Sequence, residues 1–181
     1  MSLTRRLNKD VLTVIIHNLD YPSLKELSKC NWRFYELIGP ISTIVKQARR
    51  EYFTDIFKQV ILIALNCCAI CLEIEGKKVR IEKCGANPLG IYYDADYGKI
   101  RIKSENAEVH QNDDEFNHYL EQHVSNVCRI SLYMYQYDQK KIIDIIKPLG
   151  SNRYTIRHDS CAGNVYSQIV ITREIEIKSI I

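Results

Sequence analysis

The feature that most constrains this chain is a change of hydrophobic period near Cys68. Before it, apolar residues return every three or four positions; after it, they alternate with polar ones. The first rhythm belongs to amphipathic helices and the second to half-buried strands. The chain is therefore expected to be α+β, with a helical first third and a sheet-bearing remainder. Just before the switch, Ile41, Ile44, Val45, Ala48, Tyr52, Ile56 and Val60 share one helical face. Lys46, Arg49, Arg50, Glu51, Asp55 and Lys58 occupy the other, so one long helix is predicted from about Ile41 to between Gln59 and Leu65. The uninterrupted run Val60–Leu65 has no period to assign it. It is either the buried end of that helix or a first buried strand.

After the switch, Leu72 and Ile74 alternate with Cys71, Glu73 and Glu75, and Val79 and Ile81 with Lys78, Arg80 and Glu82. This pattern predicts a hairpin turning at Glu75-Gly76-Lys77. A second hairpin is expected from Ile91–Asp94 and Lys99–Lys103, followed by a polar connection over Ser104–Gln111. Asn112 or Asp113 can cap a helix carrying Phe116, Tyr119, Leu120 and Val124. A strand follows over Val127–Tyr135. Asp138 opens another helix with Ile142, Ile143, Ile145 and Ile146, which Pro148 and Gly150 stop. Arg153–His158, Tyr166–Ile171 and Glu174–Ile180 have strand character. The strands at Val127 and Arg153 enclose a helix and start roughly 25 residues apart, the unit size of leucine-rich-type repeats. Repeat-like strand–helix units are therefore expected in this region.

The amino-terminal stretch Leu7–Ile38 contains three short amphipathic segments. Leu7, Val11, Leu12, Ile15, Ile16 and Leu19 make one broad apolar face. The second segment opens at Pro22-Ser23, where Ser23 and Glu26 have capping-box spacing, and it carries Leu24 and Leu27 with Cys30. The third runs from Asn31, a candidate N-cap, through Phe34, Tyr35, Leu37 and Ile38 to a stop at Gly39-Pro40. Helices shorter than roughly 12–15 residues are marginal alone and need packing. These three carry more apolar surface than they can bury among themselves. The surplus must be covered by the rest of the chain or by a partner.

This stretch resembles an F-box, the adaptor-binding motif of substrate receptors in SCF ubiquitin ligases. Leu7, Asp10, Val11 and Leu12 match the opening of the family pattern, followed by Ile15 and Leu19. Leu24-Lys25-Glu26-Leu27-Ser28 matches its Leu-x-x-Leu-Ser core, and Arg33-Phe34-Tyr35-Glu36-Leu37 its close. Asn8 stands where the family has Pro. The resemblance implies a three-helix F-box over residues 1–40, a linker helix over 41–66 and an α/β substrate-binding domain over 67–181. The helix–strand alternation also resembles the carboxy-terminal domains of large, divergent F-box families, where degenerate repeats follow a hairpin region. By the same resemblance, Leu7, Val11, Leu12, Ile15, Leu19, Leu24, Leu27 and Phe34 would be divided between the module's core and its contact with the adaptor. The implied partners are a Skp-type adaptor, its cullin complex and a target protein.

Charge and composition narrow the alternatives. The formal charge is only +3, whereas a nucleic-acid binder is expected to show a concentrated basic stripe and a domain pI above about 9. The basic runs Lys46–Arg50 and Lys77–Arg80 are better explained as solvated faces. Seven cysteines, an odd number, are scattered along the chain, and Arg5-Arg6 precede an amphipathic helix rather than an apolar signal core. Both features predict free thiols in a reducing compartment, cytoplasm or nucleus. The longest apolar run, Val60–Leu72, is interrupted by Asn66 and falls short of the about 20 residues of a bilayer span.

Groups able to do chemistry are few. Cys67, Cys68, Cys71 and Cys84 are the best metal candidates, but zinc sites pair two C-x₂₋₄-C knuckles and only one is present. Cys161 with His158, or Cys128 with His123, offers a nucleophile and base without an orienting third group. Gly85, Gly90 and Gly98 form no phosphate loop. Tyr133, Tyr135 and Tyr137 recur at strand period, with Tyr119 nearby; a core or interface role fits them better than base stacking. The expectation is a protein without metal, cofactor or catalytic residues. It would act as an SCF substrate receptor or, alternatively, as an α/β protein-interaction domain with no ubiquitin role.

Overall fold

A computed structural model describes residues 9–30, 32–38, 43–85, 96, 98–136, 138–161 and 164–173. Leu7, Asn8, Asn31, Gly39-Pro40, Ile41, Ile91–Asp94, Tyr137 and Glu174–Ile180 lie outside the described residues, and with them the expectations placed there. The chain divides into two compact units, Met1–Thr54 and Asp55–Ile181. Together they make an α+β protein.

The first unit contains α1 (Lys9–His17), α2 (Tyr21–Cys30), α3 (Trp32–Ile38) and the first half of α4 (Thr43–Ala64). Ile16 and Leu24 form its core, with Leu19, Leu27, Phe34, Val45 and Ala48 packed against them; Leu12 is buried as well. Each fully buried Leu or Ile contributes about 1.5–3 kcal/mol of transfer free energy. The start of α2 differs from the expected Ser23–Glu26 capping box. The cap is Asp20, whose carboxylate Oδ1 accepts the Ser23 backbone N–H at 3.0 Å, while its carbonyl accepts Leu24 N–H at 3.0 Å. Pro22 explains the shift. A proline lacks the N–H that only a first-turn residue can spare, so the helix must begin at or just before it. At the other end of α1, His17 Nδ1 donates to the Thr13 carbonyl and Asn18 Nδ2 to the Val14 carbonyl, both at 2.7 Å. Both bonds reach back four residues and reinforce the last turn of α1, where the final carbonyls lack intrahelical partners.

The second unit is a seven-stranded sheet built from β1 (Ala69–Ile74), β2 (Lys77–Lys83), β3 (Ile100–Lys103), β4 (Glu108–Gln111), β5 (Val127–Tyr135), β6 (Tyr154–Cys161) and β7 (Asn164–Thr172). The spatial order is β4-β3-β2-β1-β5-β7-β6 and every pairing is antiparallel. Register aligns one apolar row across all seven strands: Val109, Ile102, Ile81, Ile70, Leu132, Ile169 and Ile156. A second row, Val79, Leu72, Ile130, Ile171 and Tyr154, lies beside it. The five central members of the first row are buried. Alternate residues on the other face, such as Arg80, Lys103, Arg129, Tyr133, Gln168 and Arg157, are exposed. One face therefore carries the core and the other meets water, as the alternation requires.

The β1–β2 hairpin turns at Glu75-Gly76, where the expected turn fell. Both residues have positive φ, 51° and 80°, which matches the right-handed twist of the flanking strands. Helix α5 (Asp113–His123) is capped by Asn112. Asn112 Oδ1 accepts Glu115 N–H at 2.9 Å and Glu115 Oε2 accepts Asn112 N–H at 3.0 Å, a reciprocal capping box. Phe116 and Leu120 face inward from α5, and Ile142 and Ile146 from α6 (Gln139–Ile146). The run Val60–Leu65 proves to be the end of α4 and the first residue of the turn after it, with Val60, Ile61, Ala64 and Leu65 all buried. Within this unit Lys58 of α4 pairs with Glu121 of α5, and the Arg173 guanidinium lies 5.0 Å from the Phe57 ring centroid.

Two further expectations are corrected. The polar connection over Ser104–Gln111 is instead a turn, closed by Ser104 N–H to the Ala107 carbonyl at 2.8 Å, leading into β4. An edge strand of sequence EVHQ has a single apolar residue, so it shows no alternation. The second correction concerns the repeat-like units. Stacked repeats need their strands side by side and parallel, but β7 lies between β5 and β6 and pairs antiparallel with both. The carboxy-terminal strands form a hairpin annexed to the sheet, not a repeat.

Candidate docking surface

In the first unit the structure separates the apolar residues of α1 into two arcs. At about 100° per residue, Leu12 and Ile16 fall on one arc and Val14, Val11 and Ile15 on the adjacent one. Leu12 and Ile16 are 1% and 2% exposed, whereas Val11, Val14 and Ile15 are 46%, 63% and 40% exposed. On α3, Trp32 and Tyr35, three residues apart and so on one side, are 70% and 55% exposed. Each helix therefore contributes to the core along one stripe and presents a second, uncovered apolar stripe. Exposed large apolar residues grouped along one side of a helix are a feature of binding surfaces.

Of the residues named for adaptor contact, Leu12 and Leu24 are buried, and Leu19, Leu27 and Phe34 are half-covered around the core. Val11 and Ile15 are exposed, and Leu7 lies outside the described residues. Val14, Trp32 and Tyr35 were missed. The signal for Val14 was its helical phase beside Val11 and Ile15. That for Trp32 was its identity as the chain's one tryptophan, a residue type enriched at interface hot spots. Charges lie nearby in sequence. Lys29 pairs with Glu26 at 2.6 Å, and its ammonium, as the donor and then as the neighbouring charge, holds the Glu26 carboxyl below the ordinary carboxylate range.

The groups considered for chemistry are engaged elsewhere. Cys128 Sγ donates to the Glu73 carbonyl at 3.1 Å, while the His123 ring packs against Tyr119 at 4.5 Å between centroids. His158 Nδ1 meets the buried Ser167 Oγ at 3.0 Å; the Cys161 side chain lies outside the described residues. Cys67 Sγ donates to the Ala64 carbonyl at 3.5 Å. The neighbouring Cys68 thiol, as donor toward Cys67, lowers the pKa of Cys67, and the same interaction together with burial raises that of Cys68. Among the described residues, no cluster of three His, Cys, Asp or Glu side chains could hold a metal ion. No helix there is long and apolar enough to cross a membrane.

On the water-facing side of the sheet, Tyr133 stacks on Tyr166 at 5.2 Å with an interplanar angle of 10°, and Tyr135 meets Tyr166 at 4.9 Å. These rings form a short aromatic ladder across β5 and β7. At the other end of the sheet, Arg101 bridges Glu82 (3.1 Å) and Glu108 (3.4 Å), and His110 meets Asp96 (2.8 Å) and Glu108 (3.4 Å). Compared with known proteins, the chain matches no family model, no curated sequence and no solved structure.

Proposed function

We propose that this chain is a substrate-receptor subunit of an SCF-type ubiquitin ligase. Its first unit would dock a Skp-type adaptor, and its sheet would hold a target protein. The observation that carries the reading is the uncovered stripe Val11, Val14 and Ile15 on α1, beside a core already closed by Leu12, Ile16 and Leu24. A helix with a spare apolar stripe suits a hydrophobic groove on a partner. Trp32 and Tyr35 add the large, rigid rings that dominate interface energetics. The F-box-like pattern from Leu7 to Leu37 supports this kind of partner by resemblance.

The mechanism asks for no bond-making group in this chain. Joining an adaptor-binding module to a target-binding domain raises the effective concentration of target near the ubiquitin-loaded enzyme, so transfer becomes nearly intramolecular. The water-facing side of the sheet, with its Tyr133–Tyr166–Tyr135 ladder, is the surface proposed for the target. Tyrosine suits such a surface because one end of the ring is apolar and the other wet.

The test is co-purification with a purified Skp-type adaptor. Val14→Asp with Ile15→Asp should abolish capture while far-UV circular dichroism stays that of the parent. Trp32→Ala should weaken affinity by about 30-fold, the equivalent of about 2 kcal/mol for a hot-spot ring. Leu12 and Leu24 are unsuitable targets, because a charge in their place would unfold the module rather than probe its surface. Undiminished capture by both folded variants would defeat the docking assignment.

A further inference from the structure

Strand β6 forms one edge of the sheet, and the eight residues Tyr154–Cys161 run beside β7 without a register break. Among the described residues no strand covers its outer side. The opposite edge, β4, is only four residues long, and its Glu108 and His110 are tied into ion pairs. Natural sheets blunt a long edge with charged side chains, lysine above all, or with proline, a bulge or a covering element. Strand β6 contains neither lysine nor proline and pairs regularly with β7, and its two full charges, Arg157 and Asp159, are of opposite sign.

The outward-facing groups of β6 can be identified. Thr172 N–H donates to the Arg153 carbonyl at 2.9 Å. In an antiparallel pair, hydrogen-bonded and non-bonded positions alternate. Thr155, Arg157 and Asp159 therefore bond to β7, while Tyr154, Ile156, His158 and Ser160 turn their N–H and C=O groups outward. Side chains follow the same alternation. Arg157 and Asp159 stand on the water-facing side of the sheet, are exposed and have no ion-pair partner among the described residues.

We propose that two copies of this chain join through β6, antiparallel and two-fold symmetric about His158, making one continuous sheet. The charges select both the partner and the register. With His158 opposite His158, the outward backbone groups of Ile156 and Ser160 pair across the axis. Arg157 of each copy then lies directly opposite Asp159 of the other. That position is the closer, non-bonded type of pair, where opposite charges favour pairing and like charges oppose it. Sliding the second copy by two residues one way centres the axis on Arg157 and sets it against its twin. Sliding it the other way sets Asp159 against its twin. The pattern Arg-x-Asp is thus self-complementary about His158, as a two-fold interface requires.

The test is the oligomeric state of the full chain, measured by sedimentation equilibrium. The parent should be a dimer, dissociating on dilution. Arg157→Glu places two acids opposite each other at both sites, and Asp159→Arg places two bases there, so each variant alone should be monomeric. Mixed in equal amounts, the two variants regain opposite charges at both sites and should form a heterodimer. Ser160→Pro removes an outward N–H without touching the β7 ladder, and should also weaken the dimer. Circular dichroism of each variant matched to the parent's excludes unfolding as the cause. A monomeric parent overturns the proposal, even if a foreign extended peptide adds to the same edge. So does a dimer that survives both charge reversals, or a mixture that stays monomeric. Adaptor capture reads the α1 stripe and this experiment reads β6, so each can fail without the other.

Discussion

At the residue scale, the choice of helix cap shows how one side chain decides a boundary. Asp20 and Ser23 both have cap chemistry, and Asp20 has the role because Pro22 must lie within the first turn. Hydrogen bonds from Ser23, its side chain and then its backbone, hold the Asp20 carboxyl below the ordinary carboxylate range. A depressed pKa gives stability that is present above the unfolded-state value and is lost as the pH falls through the folded-state one. Asp20→Ala should therefore lower the melting temperature at neutral pH, and the gap to the parent should close in acid, below the usual carboxylate range. Thermal melts across that pH span check it, and a gap that persists in strong acid would remove the capping carboxylate as its cause. The same logic separates Asn112 from Asp113 before α5. Glu115 lies three residues after Asn112, and only that spacing closes the reciprocal box.

At the element scale, the legible segments were those whose hydrogen bonds close locally. The β1–β2 turn fell where Glu75-Gly76 predicted it, and β5 spans Val127–Tyr135 as the alternation indicated. Gly76 carries a prediction of its own. Its φ is +80°, and an added Cβ would meet nothing within 4 Å. Gly76→Ala should therefore cost about 1–2 kcal/mol through backbone conformation alone, read as a lower urea midpoint at unchanged slope. A neutral result would mean the turn can relax. Elements without a period were less legible. Val60–Leu65 is apolar on every side because the end of α4 is covered on several sides, and such a run looks the same in helix or buried strand. Strand β4, with one apolar residue at an edge, had no pattern to display.

At the scale of the whole molecule, strand order decides what the elements become. Strands β5 and β6 resemble successive repeats only along the chain. In space, β7 folds back between them, pairing with both and leaving β6 at the edge. The first unit has its own core of Ile16 and Leu24, and the sheet has its own apolar rows. Removing residues 1–54 should therefore leave 55–181 soluble, with a cooperative thermal transition and a sheet-bearing dichroism spectrum. Aggregation or a melted spectrum would instead indicate one indivisible core, and would favour a compact interaction domain over a detachable adaptor module.

The sequence by itself determined where most of the helices and alternating strands lie, and where the Glu75-Gly76 turn and the start of α5 fall. Those features depend on side chains within four residues of each other, and such neighbours are adjacent in any fold. Only the tertiary structure decided which apolar residues are covered. Val11 and Leu12 are adjacent and equally hydrophobic in pattern, yet Leu12 lies in the interior and Val11 meets water. Hydrophobic burial has no direction of its own. A period therefore names a face, but segments distant along the chain choose what closes over it.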